Sequence, residues 1–199
     1  MAGDDHCGWA PWFKAHFKFE KVEREGGDLA KWKAEHGAMV DARAAALRAQ
    51  GYTVYLEHQN KFTVVGSNGA ELVGTPDVVA VRRDEALVVD CKSGKRRDKD
   101  FWQVVLYMLM LPRTHEGLRG VAELRGQIEY RDALVAISPA QATSAQARVK
   151  DILRLVGGPE APARVPSAHE CRFCDIRKAD CPERIEAAPQ AAVPAHDVF

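Results

Sequence analysis

The feature that most constrains this chain is a pair of short apolar runs, each with an aspartate at its end. Gly74-Thr75-Pro76-Asp77 leads into Val78-Val79-Ala80-Val81, and Ala86-Leu87-Val88-Val89 runs out into Asp90-Cys91-Lys92-Ser93-Gly94. Only Arg82-Arg83-Asp84-Glu85 separates the runs, so they predict a β-hairpin. Such a hairpin sets Asp77, before the first strand, beside Asp90, after the second. Lys92 lies two residues beyond Asp90 and projects from the same strand face. Magnesium takes oxygen ligands, keeps several waters and needs only one or two protein carboxylates. The backbone carbonyl of Cys91 is a natural further ligand. A metal held there can supply a nucleophilic water at a phosphodiester, with Lys92 contacting that water or the phosphate. Pro-Asp alone is ordinary turn chemistry, and Asp-x-Lys alone says less. The pair gains meaning from its place on two apolar strands followed by an apolar helix, Phe101 to Leu111. That helix carries Gln103 and Tyr107 at i, i+4, on one face.

Around this centre the pattern alternates helices and strands. Residues 1–27 are rich in aromatic side chains and predict a short packed helix. Asp28 is an N-cap candidate for a helix from Leu29 to Gln50, with Gly51 as its stop and Gly37 a weak point inside it. Tyr52–Leu56 and Lys61–Val65 read as strands, with a turn at Ser67-Asn68-Gly69. Pro112 is expected to end the helix after Leu111. Ile128 to Ile137 reads as one strand or two. Ser138-Pro139 starts a helix to about Val156, stopped by Gly157-Gly158. Residues 159–167 form a proline-bearing linker, and 187–199 an Ala/Pro tail expected to be mobile. This order predicts an α/β fold with a mixed central sheet flanked by helices.

The 199 residues suit one domain with short appendages. No apolar run approaches the ~20 residues of a membrane helix. The first residues lack a secretory pattern, so a cytoplasmic location is expected. Net charge is zero, and gives no support to a nucleic-acid partner. Local charge does: Lys92, Lys95, Arg96, Arg97 and Lys99 follow the acidic pair closely and form a candidate phosphate-binding edge. In a reducing compartment, Cys171-x-x-Cys174 with Cys181 and the distant Cys7 points to a metal site rather than disulfides. Cys91 is read as a small buried apolar residue. Thiolates suit zinc or an iron–sulfur cluster. Structural zinc usually gathers its ligands in two local pairs, whereas this chain has three clustered cysteines plus one far away, with Pro182 after the last.

Gly74-x-Pro76-Asp77, Asp90-x-Lys92-Ser93-Gly94 and Gln103-x-x-x-Tyr107 resemble the three core motifs of RecB-like PD-(D/E)XK nucleases. Cys7…Cys171-x-x-Cys174-x6-Cys181-Pro182 resembles the iron–sulfur members, including the CRISPR-associated Cas-four exonucleases. The likeness spans Cys7 to Cys181. It implies a restriction-endonuclease-like core over 28–158 within a single domain, 1–186. Segments 1–27 and 159–186 would be joined by a four-cysteine [4Fe-4S] cluster, with Zn2+ as the alternative. It further implies a Mg2+- or Mn2+-dependent deoxyribonuclease, an exonuclease more than an endonuclease, acting on single-stranded DNA or ends in CRISPR adaptation, recombination or repair. By that likeness Asp77 and Asp90 bind metal, Lys92 is catalytic, and Gln103 and Tyr107 orient the site or the strand. Relatives often carry a metal-binding histidine a few residues after a helix glycine. Here Asp41 stands at that place and is expected to complete the metal site, while His36 precedes Gly37. A non-cutting DNA-binding subunit of a recombination or integration complex is the second reading.

Overall fold

The computed structural model describes residues 7–23, 29–66 and 69–186. The Asp28 cap, the Ser67-Asn68 corner and the 187–199 tail lie outside the described residues. In chain order the elements are α1 (Trp9–His16), α2 (Leu29–Ala49), β1 (Thr53–Leu56), β2 (Phe62–Val65), β3 (Glu71–Gly74), β4 (Val78–Arg82), β5 (Glu85–Lys92), α3 (Asp98–Thr114), β6 (Glu123–Tyr130), β7 (Leu134–Ile137), α4 (Pro139–Gly157) and α5 (Ala168–Phe173). The chain falls into two compact units, Gly26–Ile152 and Met1–Glu25 with Leu153–Phe199. The division lies inside α4 rather than at the expected 158/159.

In the first unit five strands form one mixed sheet in the order β1-β4-β5-β6-β7. The predicted hairpin is β4–β5, antiparallel, with Val78 opposite Val89. β5 and β6 are parallel, which requires a crossover, and α3 supplies it. Val78, Val79, Val88 and Val89 are fully buried, because both faces of the central strands are covered. Their sequence therefore reads as a continuous apolar run rather than an alternation. Val78, Ala80, Val89 and Cys91 pack with Val40 and Leu47 of α2. The alternate residues, Asp90 and Lys92 among them, take the opposite face with α3. Gly126 on β6 allows that approach: a Cβ there would stand 2.6 Å from Val104 and 2.7 Å from Met108.

α2 runs unbroken through Gly37 for 21 residues, and Gly51, at φ 84°, ends it in the left-handed conformation. α3 corrects the expected bounds at both ends. It starts at Asp98 because Asp100 accepts the Arg97 backbone N–H at 3.1 Å, closing the first turn. It passes Pro112 because a proline in the last turn removes only one intrahelical bond. The His115 N–H still donates to Leu111 O at 2.9 Å. The 128–137 region forms two strands, β6 and β7. Ser138 and Gln141 cap α4 reciprocally: the Gln141 N–H donates to Ser138 Oγ at 3.2 Å and the Ser138 N–H to Gln141 Oε1 at 2.8 Å. β3 was not legible as a strand, since Glu71-Leu72-Val73-Gly74 is short and ends on glycine. It forms as the partner of β2 in a separate two-stranded sheet.

The second unit is built on aromatics. Trp9, Trp12 and Ile176 form its buried cluster, with Cys7, Phe13, Phe19, Cys174 and Cys181 packed against it. The Trp12 Nε1–H donates to Gly158 O at 2.8 Å. Lys21 pairs with Ile176 in a one-residue antiparallel bridge, which brings the early and late segments of the chain side by side.

Candidate active site

The hairpin register does what the sequence predicts: Asp77 precedes Val78, Asp90 follows Val89, and these valines are opposite. Asp77 is held by the backbone: its Oδ2 accepts the Cys91 N–H at 2.7 Å. Its other oxygen, Oδ1, lies 3.5 Å from His36 Nε2. Asp90, 2 % exposed, contacts Lys92 Nζ at 2.5 Å. Lys92 Nζ also donates to Gln103 Oε1 at 2.8 Å, and Gln103 Nε2 donates to Tyr107 OH at 2.8 Å. Four of the predicted residues thus form one chain of contacts, Asp90–Lys92–Gln103–Tyr107, linking β5 to α3. Gly74 makes room for its far end. A Cβ at Gly74 would lie 2.4 Å from Phe62 and 3.1 Å from Tyr107, whose rings pack edge to face.

Asp41 is not in this group. It is exposed on α2, and the residue of that helix facing Asp77 is His36. The reason is helical phase: five residues turn a helix by about 140° away from the starting direction. His36 shares its face with Val40, four residues on and buried. Position relative to Gly37 is therefore a poorer guide than the stripe that α2 presents to the sheet.

Glu57 went unread in the sequence. It follows β1, whose Leu56 is opposite Val78, and its N–H donates to Asp77 O at 3.1 Å. The available signal was an acid closing the strand Tyr52–Leu56, the mirror of Asp77 before β4. Among the described residues, His36, Glu57 and Asp77 form the one group of three or more His, Cys, Asp or Glu whose ligand atoms all lie within 4.8 Å of one another. Buried Asn60 supports this corner. Its side-chain amide donates to Tyr55 O at 3.0 Å and to Pro76 O at 3.1 Å. Its Oδ1 lies 3.2 Å from His115 Nε2. Because His115 Nδ1 accepts the Gly117 N–H, Nε2 carries the proton and donates to Asn60. The loop before Asp77 is thus tied to the turn that carries Glu57.

The electrostatics fit a cation. Burial pushes the Asp90 carboxyl up to about 6, and the neighbouring charge of Asp77 adds to the rise against the opposing pull of Lys92. Burial likewise raises Asp77, against the Cys91 hydrogen bond and the pull of His36 and Lys92. The Asp77 and Glu57 carboxylates with the His36 imidazole are a hard, mostly oxygen donor set suited to Mg2+ or Mn2+, and Asp90, on the neighbouring strand, lies outside that group of three. Burial, and after it the charge of Asp77, pushes the Cys91 thiol up to about 12.

This yields a stability prediction for the metal-free protein. An acid whose folded value is raised contributes stability below its unfolded value and loses it as the pH climbs through the folded value. For Asp90 that window runs from about 4 to about 6. In EDTA, Asp90→Asn should therefore melt above the wild type at pH 8, by up to about 3 kcal/mol of stability. The gap should close toward pH 4. A wild type that melts higher than Asp90→Asn at pH 8 contradicts the assignment.

The predicted basic edge is exposed. Lys95, Arg96, Arg97 and Lys99 occupy the loop after β5 and the first turn of α3. Arg96 pairs with Asp132 at 2.9 Å and lies over the Tyr130 ring. The cysteines of the second unit form no disulfide. Cys171 is buried, and Cys7, Cys174 and Cys181 are half-buried. The Cys7 N–H donates to Glu170 at 3.0 Å, next to Cys171. The Cys181 thiol is raised by burial first, and by proximity to Cys7 and Cys171. No three of these sulfurs fall within 4.8 Å of one another.

No helix among the described residues is long and apolar enough to cross a membrane. Among curated proteins none matches the chain. The solved structure titled "Crystal structure of SSO0001" is similar to it at 14 % identity and a TM-score of 0.42, covering 77 % of this chain and 70 % of that one. Residues 10–182 match the family described as the PD-(D/E)XK nuclease superfamily, a range that includes the hairpin, α3 and the contact chain from Asp90 to Tyr107. The chain belongs to the PD-(D/E)XK nuclease superfamily, whose members are nucleases dependent on divalent metals such as Mg2+ or Mn2+.

Proposed function

We propose that this protein is a divalent-metal-dependent deoxyribonuclease that degrades single-stranded DNA or DNA ends. The observation that carries the reading is the contact chain Asp90–Lys92–Gln103–Tyr107 set beside the His36–Glu57–Asp77 group. Asp77, Asp90, Glu57 and His36 would hold the metal. When bound, a divalent cation activates a water and offsets charge on the phosphate. Lys92 has its ammonium steered by Asp90 and Gln103, and stabilises the charge that develops at the scissile phosphate. Tyr107 fixes Gln103. Asp77, pinned by the Cys91 N–H, keeps one oxygen turned toward His36. The complete set favours cutting over a purely DNA-binding role.

The exonuclease assignment and a place in CRISPR adaptation, recombination or repair rest on the resemblance of the cysteine layout to the Cas-four exonucleases. Linear and circular single-stranded DNA of the same sequence, incubated with Mn2+, test the first of these. Loss of the linear form with the circle intact is expected, and equal loss of both would mean an endonuclease.

We further propose that Cys7, Cys171, Cys174 and Cys181 hold a [4Fe-4S] cluster. Supporting this are the bridge between Lys21 and Ile176 and the packing of Cys7, Cys174 and Cys181 on one aromatic cluster. Protein purified without oxygen should be brown, with about four irons per chain. Cys7→Ser should lose iron as fully as Cys174→Ser and melt earlier, since ligand binding there doubles as folding energy. Colourless protein with one zinc per chain would overturn the cluster while leaving the nuclease reading intact.

A further inference from the structure

Trp32 is the one tryptophan of four left in solvent. Trp9 and Trp12 are buried and Trp102 is half-buried, whereas Trp32 is 49 % exposed. An indole can bury 150–250 Å2, so its exposure forgoes a large apolar gain. Trp32 is also ordered against a neighbour. Its ring stacks on His36, one helical turn on, with centroids 5.4 Å apart and planes 11° from parallel. His36 in turn stands 3.5 Å from Asp77. The arrangement is a flat ladder of two rings on α2, its inner rung at the candidate metal group and its outer rung in solvent. Exposed Lys31 and Lys33 flank it.

We infer that Trp32 is a base-stacking subsite for an unpaired nucleotide of a strand passing the candidate metal group at His36 and Asp77. The inference rests on the nuclease reading and adds a cause for single-strand preference. A nucleobase in a duplex is already stacked on both faces, whereas an unpaired base has a face to offer. Stacking on an aromatic side chain ignores sequence, because every base has a π-face. One face of the indole meets His36, and the exposed part of the ring is offered to a base, with exposed Lys31 and Lys33 beside it in the helix. A base on Trp32 also bears on His36 through the ring stack, so strand binding and the metal group are coupled.

The test measures binding in EDTA, where nothing is cut, by anisotropy of fluorescein-labelled oligothymidylate. A second probe is an oligonucleotide of equal length carrying abasic residues. Trp32→Ala should weaken oligothymidylate binding about tenfold or more, and Trp32→Phe should restore most of it. Trp32→Leu, with bulk but no π-face, should behave like alanine. The abasic probe should bind the wild type as weakly as oligothymidylate binds Trp32→Ala, and should be indifferent to the substitution. A Trp32→Ala protein that keeps wild-type affinity for oligothymidylate overturns the inference. So does an equal loss on both probes, which would mean that Trp32 only props His36. A wild type that fails to bind either probe yet cleaves duplex DNA with Mn2+ sinks the single-strand reading as well. Each failure is thus told apart from failure of the nuclease assignment itself.

Discussion

Asp90→Ala and Lys92→Ala should each abolish metal-dependent DNA cleavage, with a rate loss on the order of a thousandfold or more. Asp90 is a buried carboxylate touching Lys92, and Lys92 is the one cation tied into both Asp90 and Gln103 among the described contacts. Removing either takes away charge that the phosphate or the metal requires. Rates are read on labelled single-stranded DNA with Mn2+, and melting curves check the fold. Asp90→Ala empties buried volume and Lys92→Ala leaves a buried carboxylate without its cation, so a rate is read only from a variant whose melting curve shows it folded. Near-wild-type rates from either variant would remove these residues from the site. Lys92→Arg is a sharper probe, because it keeps the charge but not the compact ammonium that fits between Asp90 and Gln103. It should recover little activity.

The second large effect separates two residues of one helix. His36→Ala should cut the cleavage rate and Mn2+ affinity by more than the roughly 10–100-fold that loss of a supporting group costs. Asp41→Ala should leave both within about twofold, as exposed positions away from special features usually do. Calorimetric titration of Mn2+ into metal-free protein reads affinity without turnover. A damaged Asp41→Ala beside a healthy His36→Ala would restore the sequence expectation and contradict the geometry at Asp77.

That reversal shows where the sequence carries information. Asp77 and Asp90 were legible because a hairpin has a fixed register, and two apolar runs around a four-residue connection leave little choice of partner. Lys92 followed from strand alternation, Gln103 and Tyr107 from helical spacing. These are local rules acting over a few residues. Choosing between His36 and Asp41 requires the rotational phase of α2 against the sheet, which is set by Val40 and Leu47 packing on Val78 and Val89. Such long-range packing has no short sequence signature. Glu57 was hidden for a related reason: its place depends on β1 pairing with β4 across the intervening β2–β3 sheet. Asn60 and His115, 55 residues apart, form part of the same support, and only the fold brings them together. α3 was read too short because Pro112 is a strong stop in a helix interior and a weak one in a last turn.

The central claim is that the β4–β5 hairpin, α2 and α3 assemble a divalent-metal site that cuts DNA. The most direct measurement is cleavage of end-labelled linear single-stranded DNA by the purified protein. Mn2+ or Mg2+ alone, the same metal with excess EDTA, and Asp90→Ala with metal are run side by side. The account predicts degradation with metal, none with EDTA, and none with Asp90→Ala. Cleavage that survives EDTA or the loss of Asp90 would contradict it.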